Sequence, residues 1–201
     1  MIKLFKDDCF NIFPLIENKS VDLILADLPY GTTKCKWDTI LPFKELWREY
    51  ERIIKDSGNI VLFATEPFTS HLIMSNVQNF KEKIIWEKHK ASNFGNSKIM
   101  HLKYTEDIVV FGKGRRTFNP QYQKRISQRV AEAQKGNSKN WNTQREYTGE
   151  VSFATDYKPR EWTDYSAEKK LQGNVLRFPA VVSNSREKVD HPTQKPIKLL
   201  S

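Results

Sequence analysis

The hydrophobic residues of this chain fall into short runs separated by amphipathic stretches. Val21 to Ala26 (VDLILA), Asn59 to Ala64 (NIVLFA), Phe80 to Trp86 (FKEKIIW) and Thr105 to Phe111 (TEDIVVF) have strand length and strand composition. The first two are apolar enough to predict burial on both faces, as in a parallel sheet. Ile2 to Phe5 is a shorter strand expectation that ends at Asp7-Asp8. Between these runs, Pro42 to Lys55 places Phe43, Leu46, Trp47, Tyr50, Ile53 and Ile54 on one helical stripe, with proline in the first turn and Gly58 past the end. Cys9 to Ile16 predicts a short helix that Asp8 can cap, and Glu66 to Val77 a third helix. The alternation predicts an α/β fold with a parallel-rich sheet and crossover helices. Ligands of such sheets bind beyond the carboxyl ends of strands, which is where Asp7-Asp8, Ala26-Asp27 and Ala64-Thr65-Glu66 fall.

The pattern loosens near Lys113. From there to Lys170, thirteen Lys and Arg face seven Asp and Glu, interleaved with Phe118, Tyr122, Trp141, Tyr147, Phe153, Tyr157, Trp162 and Tyr165. Cations neutralise phosphates and aromatic rings stack on bases, so the segment reads as a nucleic-acid-binding insertion; a plain solvated insertion is the alternative. Val175 to Pro179 resumes a strand pattern, and HPTQKP (His191 to Pro196) leads into Ile197-Lys198-Leu199-Leu200, a helix opening at Pro196. The expected organisation is therefore 1–112 as the first part of a core, 113–174 as an insertion, and 175–201 as the return to the core.

Composition narrows the partners. The net charge of +9 over 201 residues favours a polyanion, nucleic acid first. Cys9 and Cys35, the two cysteines, lack the spacing of a zinc or disulfide framework and fit a reducing interior. The four histidines are scattered, and no metal site is expected. No apolar run approaches the roughly 20 residues of a membrane span. The N-terminus lacks the features of a signal peptide, so a cytoplasmic location is the expectation.

The stretch with the most chemistry is ADLPYGTT, Ala26 to Thr33. Asp27, at a strand end, can accept hydrogen bonds from an exocyclic amine, and the Leu28 carbonyl can accept a second. Pro29 stiffens the turn and Tyr30 offers a flat face to a base. An aromatic amine is a poor nucleophile because its lone pair is delocalised into the ring. Two acceptors on its N–H bonds favour a more tetrahedral, more nucleophilic nitrogen. Alone, the same residues describe an Asp-capped turn with a core tyrosine.

In sequence order, KDDCFNIFPLIENKSVDLILADLPYG followed far downstream by HPTQKP resembles the amino-methylating (N6-adenine and N4-cytosine) DNA methyltransferases of the beta arrangement. That resemblance implies a Rossmann-like S-adenosylmethionine-dependent methyltransferase sheet and an inserted target-recognition region. It implies that Asp27, Leu28, Pro29 and Tyr30 form the target-base pocket. Asp8 and Cys9 would lie near the adenine end of S-adenosylmethionine, and His191, Thr193, Gln194 and Lys195 would border its methionine end. Arg115, Arg116, Lys124, Arg125 and Arg129 would contact duplex DNA. The acid with the tyrosine favours adenine N6 over cytosine N4. Two features depart from the family. Leu28 stands for a proline, which the chemistry tolerates because it uses the carbonyl. The Gly-rich cofactor motif expected after the helix at Pro196 is missing. The expectation is an enzyme front portion, its sheet incomplete at the C-terminus, continued beyond Ser201 or completed by a second chain; a homodimer is also open. The competing readings are a non-catalytic DNA-binding fragment, and methylation of RNA or of a protein glutamine amide.

Overall fold

The computed structural model describes residues 2–33, 35–124, 169–182, 185–189 and 194–200. The chain divides into two units, Met1–Phe118 with Gly173–Ser201, and Asn119–Gln172. In the first unit, α1 (Cys9–Ile12), β1 (Val21–Asp27), α2 (Phe43–Ile53), β2 (Ile54–Ala64), α3 (Phe68–Ser75), β3 (Phe80–Glu87), β4 (Thr105–Phe111), β7 (Val175–Arg177) and α4 (Ile197–Leu200) follow in chain order. The second unit contributes β5 (Tyr122–Lys124) and β6 (Lys169–Leu171), which pair antiparallel.

Five strands form one sheet in the order β1-β2-β4-β3-β7. β1 runs parallel to β2, and β3 parallel to β7, whereas β4 runs antiparallel to both of its neighbours. The sheet is thus mixed. The chain between β3 and β4 returns on the same side of the sheet end without a crossover helix, which reverses β4.

Strand alternation divides the core between the two faces of the sheet. Ile60, Leu62 and Ala64 of β2, with Val109 and Phe111 of β4, meet Leu46, Trp47, Tyr50 and Ile53 of α2 and Phe68 and Leu72 of α3. On the other face, Phe63, Trp86 and Ile108 pack with Leu176, Phe178, Ala180 and Leu199. The Trp86 indole donates to the Phe178 carbonyl at 2.9 Å and so ties the 173–201 return to β3. The chain just after α1 is pinned by one side chain. The Arg52 guanidinium donates to the carbonyls of Phe13 and Ile16 at 2.7 and 2.9 Å, and to Asn18 Oδ1 at 2.6 Å.

Three local expectations change. Ile2–Phe5 is not a strand; Ile2 and Leu4 are 88 % and 91 % exposed, because the run finds no strand partner among the described residues. The first helix stops at Ile12 and continues as one 3₁₀ turn over Phe13–Leu15, Pro14 having no N–H to extend an α-helix. β1 is not buried on both faces: Leu23 and Leu25 are half-exposed. It is an edge strand, with β2 its one partner among the described residues, and only Val21, Ile24 and Ala26 reach the core under α2.

Candidate active site

β1 delivers Asp27 to the carboxyl end of the sheet. Asp27 pairs across with Phe63, Phe63 with Ile108, and Ile108 with Ile84, so one row runs from the candidate acid through β2 and β4 to β3. Leu28 turns into the main core and is buried, which gives the departure from proline a packing role. Tyr30 stacks on Phe68, ring centroids 5.2 Å apart and planes 30° apart. Phe68 is itself fixed because its neighbour Thr69, fully buried, donates to Asp107 Oδ2 at 2.7 Å, locking α3 to β4.

The loop after Tyr30 is shaped by Asp38. Its carboxylate accepts from the backbone amides of Gly31 and Thr32 at 2.9 Å and of Thr33 at 2.7 Å. Burial pushes this carboxyl upward, but the hydrogen bonds from Thr33, Gly31 and Tyr30 outweigh it and hold it below its ordinary value. Gly31 sits at φ +67°, and a Cβ there would meet Ile40 Cγ1 at 2.9 Å, so the tight turn behind Tyr30 requires glycine.

Both oxygens of Asp27 are engaged. The Tyr30 hydroxyl donates to Oδ1 at 2.6 Å, and the Lys195 ammonium lies 2.9 Å from Oδ2. Burial first, then the adjacent Asp27 charge, pushes the Tyr30 hydroxyl well above the ordinary tyrosine value, so it stays protonated and donates. Lys195 Nζ is also 3.4 Å from Glu106 Oε2, and Lys88 Nζ is 2.8 Å from Glu106 Oε1. The result is a chain of alternating charge, Asp27–Lys195–Glu106–Lys88, with the two lysine side chains 9 % and 4 % exposed. Lys195 also lies over the rings of Phe63 and Tyr30, 5.1 and 5.7 Å from their centroids. Glu106 Oε2 is buried without a hydrogen-bond partner.

Of the residues singled out in the sequence, Asp27, Leu28, Pro29, Tyr30 and Lys195 therefore come together. The others do not join them. Asp8 caps α1 by accepting from the Phe10 amide at 2.8 Å, and burial pushes the half-buried Cys9 thiol up. Gln194 is spent on Val189 N and Glu187 O, at 2.8 and 2.7 Å. Arg115 and Arg116 follow β4 toward the opposite end of the sheet, about 10 Å of strand beyond the row of Asp27. Arg115 is exposed there, while Arg116 is paired with Glu82. Lys124 lies in β5, and Arg125, Arg129, His191 and Thr193 lie outside the described residues. Sequence reasoning missed Asp38, Glu106 and Lys88. For Asp38 a signal existed, an acid a few residues beyond a Gly-Thr-Thr turn rich in amides.

A DNA methylase family profile, N6_N4_Mtase, matches residues 21–201. The chain belongs to this DNA methylase family. Among curated relatives, it is 30 % identical over 129 residues to the type II methyltransferase M1.MboII of Moraxella bovis, covering 58 % of this chain and 48 % of that one. It is 23 % identical to the type II methyltransferase M2.MboI of Moraxella bovis, over 98 % of this chain and 68 % of the relative. The chain thus spans about half the length of the first of these relatives. Among solved structures, the PvuII DNA methyltransferase (cytosine-N4-specific) aligns over 96 % of this chain and 65 % of its own, with a TM-score of 0.51 at 12 % identity, a likeness of fold.

The family implies a bound methyl donor. Of the candidate donor-side residues, Asp8 caps its own helix, Gln194 bonds within its own loop and Lys195 pairs with Asp27. Among the described residues, no helix is long and apolar enough to cross a membrane.

Proposed function

We propose that this chain carries the base-accepting part of a DNA methyltransferase that methylates the exocyclic amine of a flipped base, adenine N6 in preference to cytosine N4. The observation that carries the reading is the Asp27 carboxylate beyond β1, held between the Tyr30 hydroxyl and the Lys195 ammonium. S-adenosylmethionine, the family's donor, supplies the methyl group when bound.

The chain's own residues prepare the amine. Oδ2 of Asp27 is the acceptor for one N–H of the base, and the Leu28 carbonyl for the other. Lys195 occupies Oδ2 in this structure, and its second acceptor, Glu106 Oε2, lies 3.4 Å away without a hydrogen bond of its own. Entry of the amine displaces Lys195 onto Glu106, so the ammonium changes partner without leaving the pocket. Tyr30, kept protonated, continues to hold Oδ1 and fixes the plane of the carboxylate. Positioning and a prearranged field do this work without full proton transfer to Asp27. Duplex DNA is the partner, with 113–174 as the recognition region.

The test is methyl transfer from labelled S-adenosylmethionine to unmethylated genomic DNA, followed by nucleoside analysis. The expected product is N6-methyladenine, abolished by Asp27→Ala. N4-methylcytosine as the product would overturn the base assignment. Incorporation unchanged in Asp27→Ala would overturn the pocket. A second reading, a chain that binds DNA without transferring methyl groups, is favoured by the scatter of the donor-side residues. DNA binding retained with no S-adenosylmethionine binding in calorimetry would support it.

A further inference from the structure

The segment Lys88 to Tyr104, which links β3 to β4, contains four lysines, two histidines and no acid. It leaves the sheet at the end where Asp27 lies. Lys88 N donates to Tyr104 O at 2.7 Å and closes its base, and the Lys88–Glu106–Lys195–Asp27 charge chain joins that base to the pocket. A neck of hydrogen bonds gives the loop a defined form. Ser92 N donates to Lys103 O at 3.0 Å, Lys103 N to Asn93 Oδ1 at 2.6 Å, and Asn93 Nδ2 to His101 O at 3.0 Å. Beyond the neck, Asn96 O accepts from the amides of Ile99 and Met100, both at 3.0 Å.

This order does not serve to bury the apolar side chains. Phe94, Ile99 and Met100 are 72 %, 78 % and 51 % exposed, with Lys90 and Lys98 exposed among them. A single exposed apolar residue is ordinary; three on one short hydrogen-bonded loop, flanked by cations, mark a surface for a partner. A second copy of the chain would bring the same +9 charge and the same acid-free loop against it. Duplex DNA offers phosphates to the lysines and a base stack to the apolar side chains. Apolar wedges flanked by cations are the means by which proteins unstack a base step.

We propose that the 89–103 loop is a duplex wedge: Phe94, Ile99 and Met100 enter the stack beside the target base while Lys90 and Lys98 neutralise flanking phosphates. The proposal rests on the base-holding reading of Asp27, and it adds the element that drives the base out.

The 201-residue chain is titrated, by fluorescence anisotropy, with a labelled matched duplex and with the same duplex carrying one unpaired adenine. The Phe94→Ala/Ile99→Ala/Met100→Ala variant is expected to bind the unpaired-adenine duplex on the order of tenfold more weakly, with an unchanged salt slope. Lys90→Gln/Lys98→Gln is expected to lower the slope of log K against log salt by about 2. All five positions are exposed, and circular dichroism confirms that the variants fold. An unchanged affinity in the apolar variant, or an unchanged slope in the lysine variant, overturns the wedge. So does wild-type self-association in sedimentation that the apolar variant abolishes, which assigns the loop to a contact between copies. Asp27→Ala separates the two readings. If it leaves the preference for unpaired adenine intact while the loop variants remove it, the wedge stands and the pocket falls; the reverse result does the opposite.

Discussion

Replacing Asp38 by Asn keeps the shape of the side chain and removes its charge. Three backbone amides point at this carboxylate, from Gly31, Thr32 and Thr33, at 2.7 to 2.9 Å. An amide has one acceptor oxygen. If it serves Thr32 and Thr33, its NH₂ faces the Gly31 N–H donor to donor; if it serves Gly31, two amides lose their acceptor. Each hydrogen bond to a charged group contributes about 1.5–3 kcal/mol, so one lost bond, together with the weakening of the others, costs about 3 kcal/mol at neutral pH. The measurement is urea unfolding followed by tryptophan fluorescence, Trp47 and Trp86 both being buried. The pH dependence has a definite sign. The folded Asp38 carboxyl lies below its unfolded value of 3.8, so its stabilisation is complete above that value and is lost as pH falls through the folded value. Wild type and Asp38→Asn should therefore differ most at neutral pH and converge in acid. A difference below about 0.5 kcal/mol at neutral pH, the size of an ordinary surface change, would refute the reasoning, as would a gap that persists unchanged in strong acid.

Lys88→Met leaves the Glu106 carboxylate with only Lys195 for company; breaking such a buried pair costs about 3 kcal/mol in chemical denaturation, and Lys88→Met/Glu106→Leu should recover most of it. Gly31→Ala forces a side chain into φ +67° against Ile40, and its expected cost is about 1–2 kcal/mol, read as a lower urea midpoint at unchanged slope. Arg52→Ala frees the Phe13 and Ile16 carbonyls and Asn18 at once; a loss of about 2 kcal/mol is expected, with faster amide exchange confined to the stretch from Phe13 to Asn18 and its neighbours.

Much of the sheet is legible in the chain, because β2, β3 and β4 are apolar runs of strand length that need no distant information. The direction of β4 is not. Nothing within TEDIVVF distinguishes a parallel from an antiparallel neighbour; the geometry of the 88–104 connection decides it. The position of Asp27 at a strand end follows from the local pattern, and so does the neighbouring tyrosine. The acids and cations around them do not. Glu106 reads as a polar strand start and Lys88 as a surface charge, and they become a pair only because the antiparallel return places both beside Lys195, which arrives from the far end of the chain. Ile2–Phe5 shows the converse: its composition suits a strand, but a strand needs a neighbour.

The two-stranded ladder of β5 and β6 has a practical consequence. Tyr122 pairs with Leu171 and Lys124 with Lys169, so the chain leaves and returns along adjacent backbones. Such an attachment is a graft point. A segment exchanged there joins the ladder at two neighbouring residues. Two descendants of one ancestor could thus differ in the segment between these residues while the ladder is inherited unaltered, and an engineer could transplant one segment for another at the same seam.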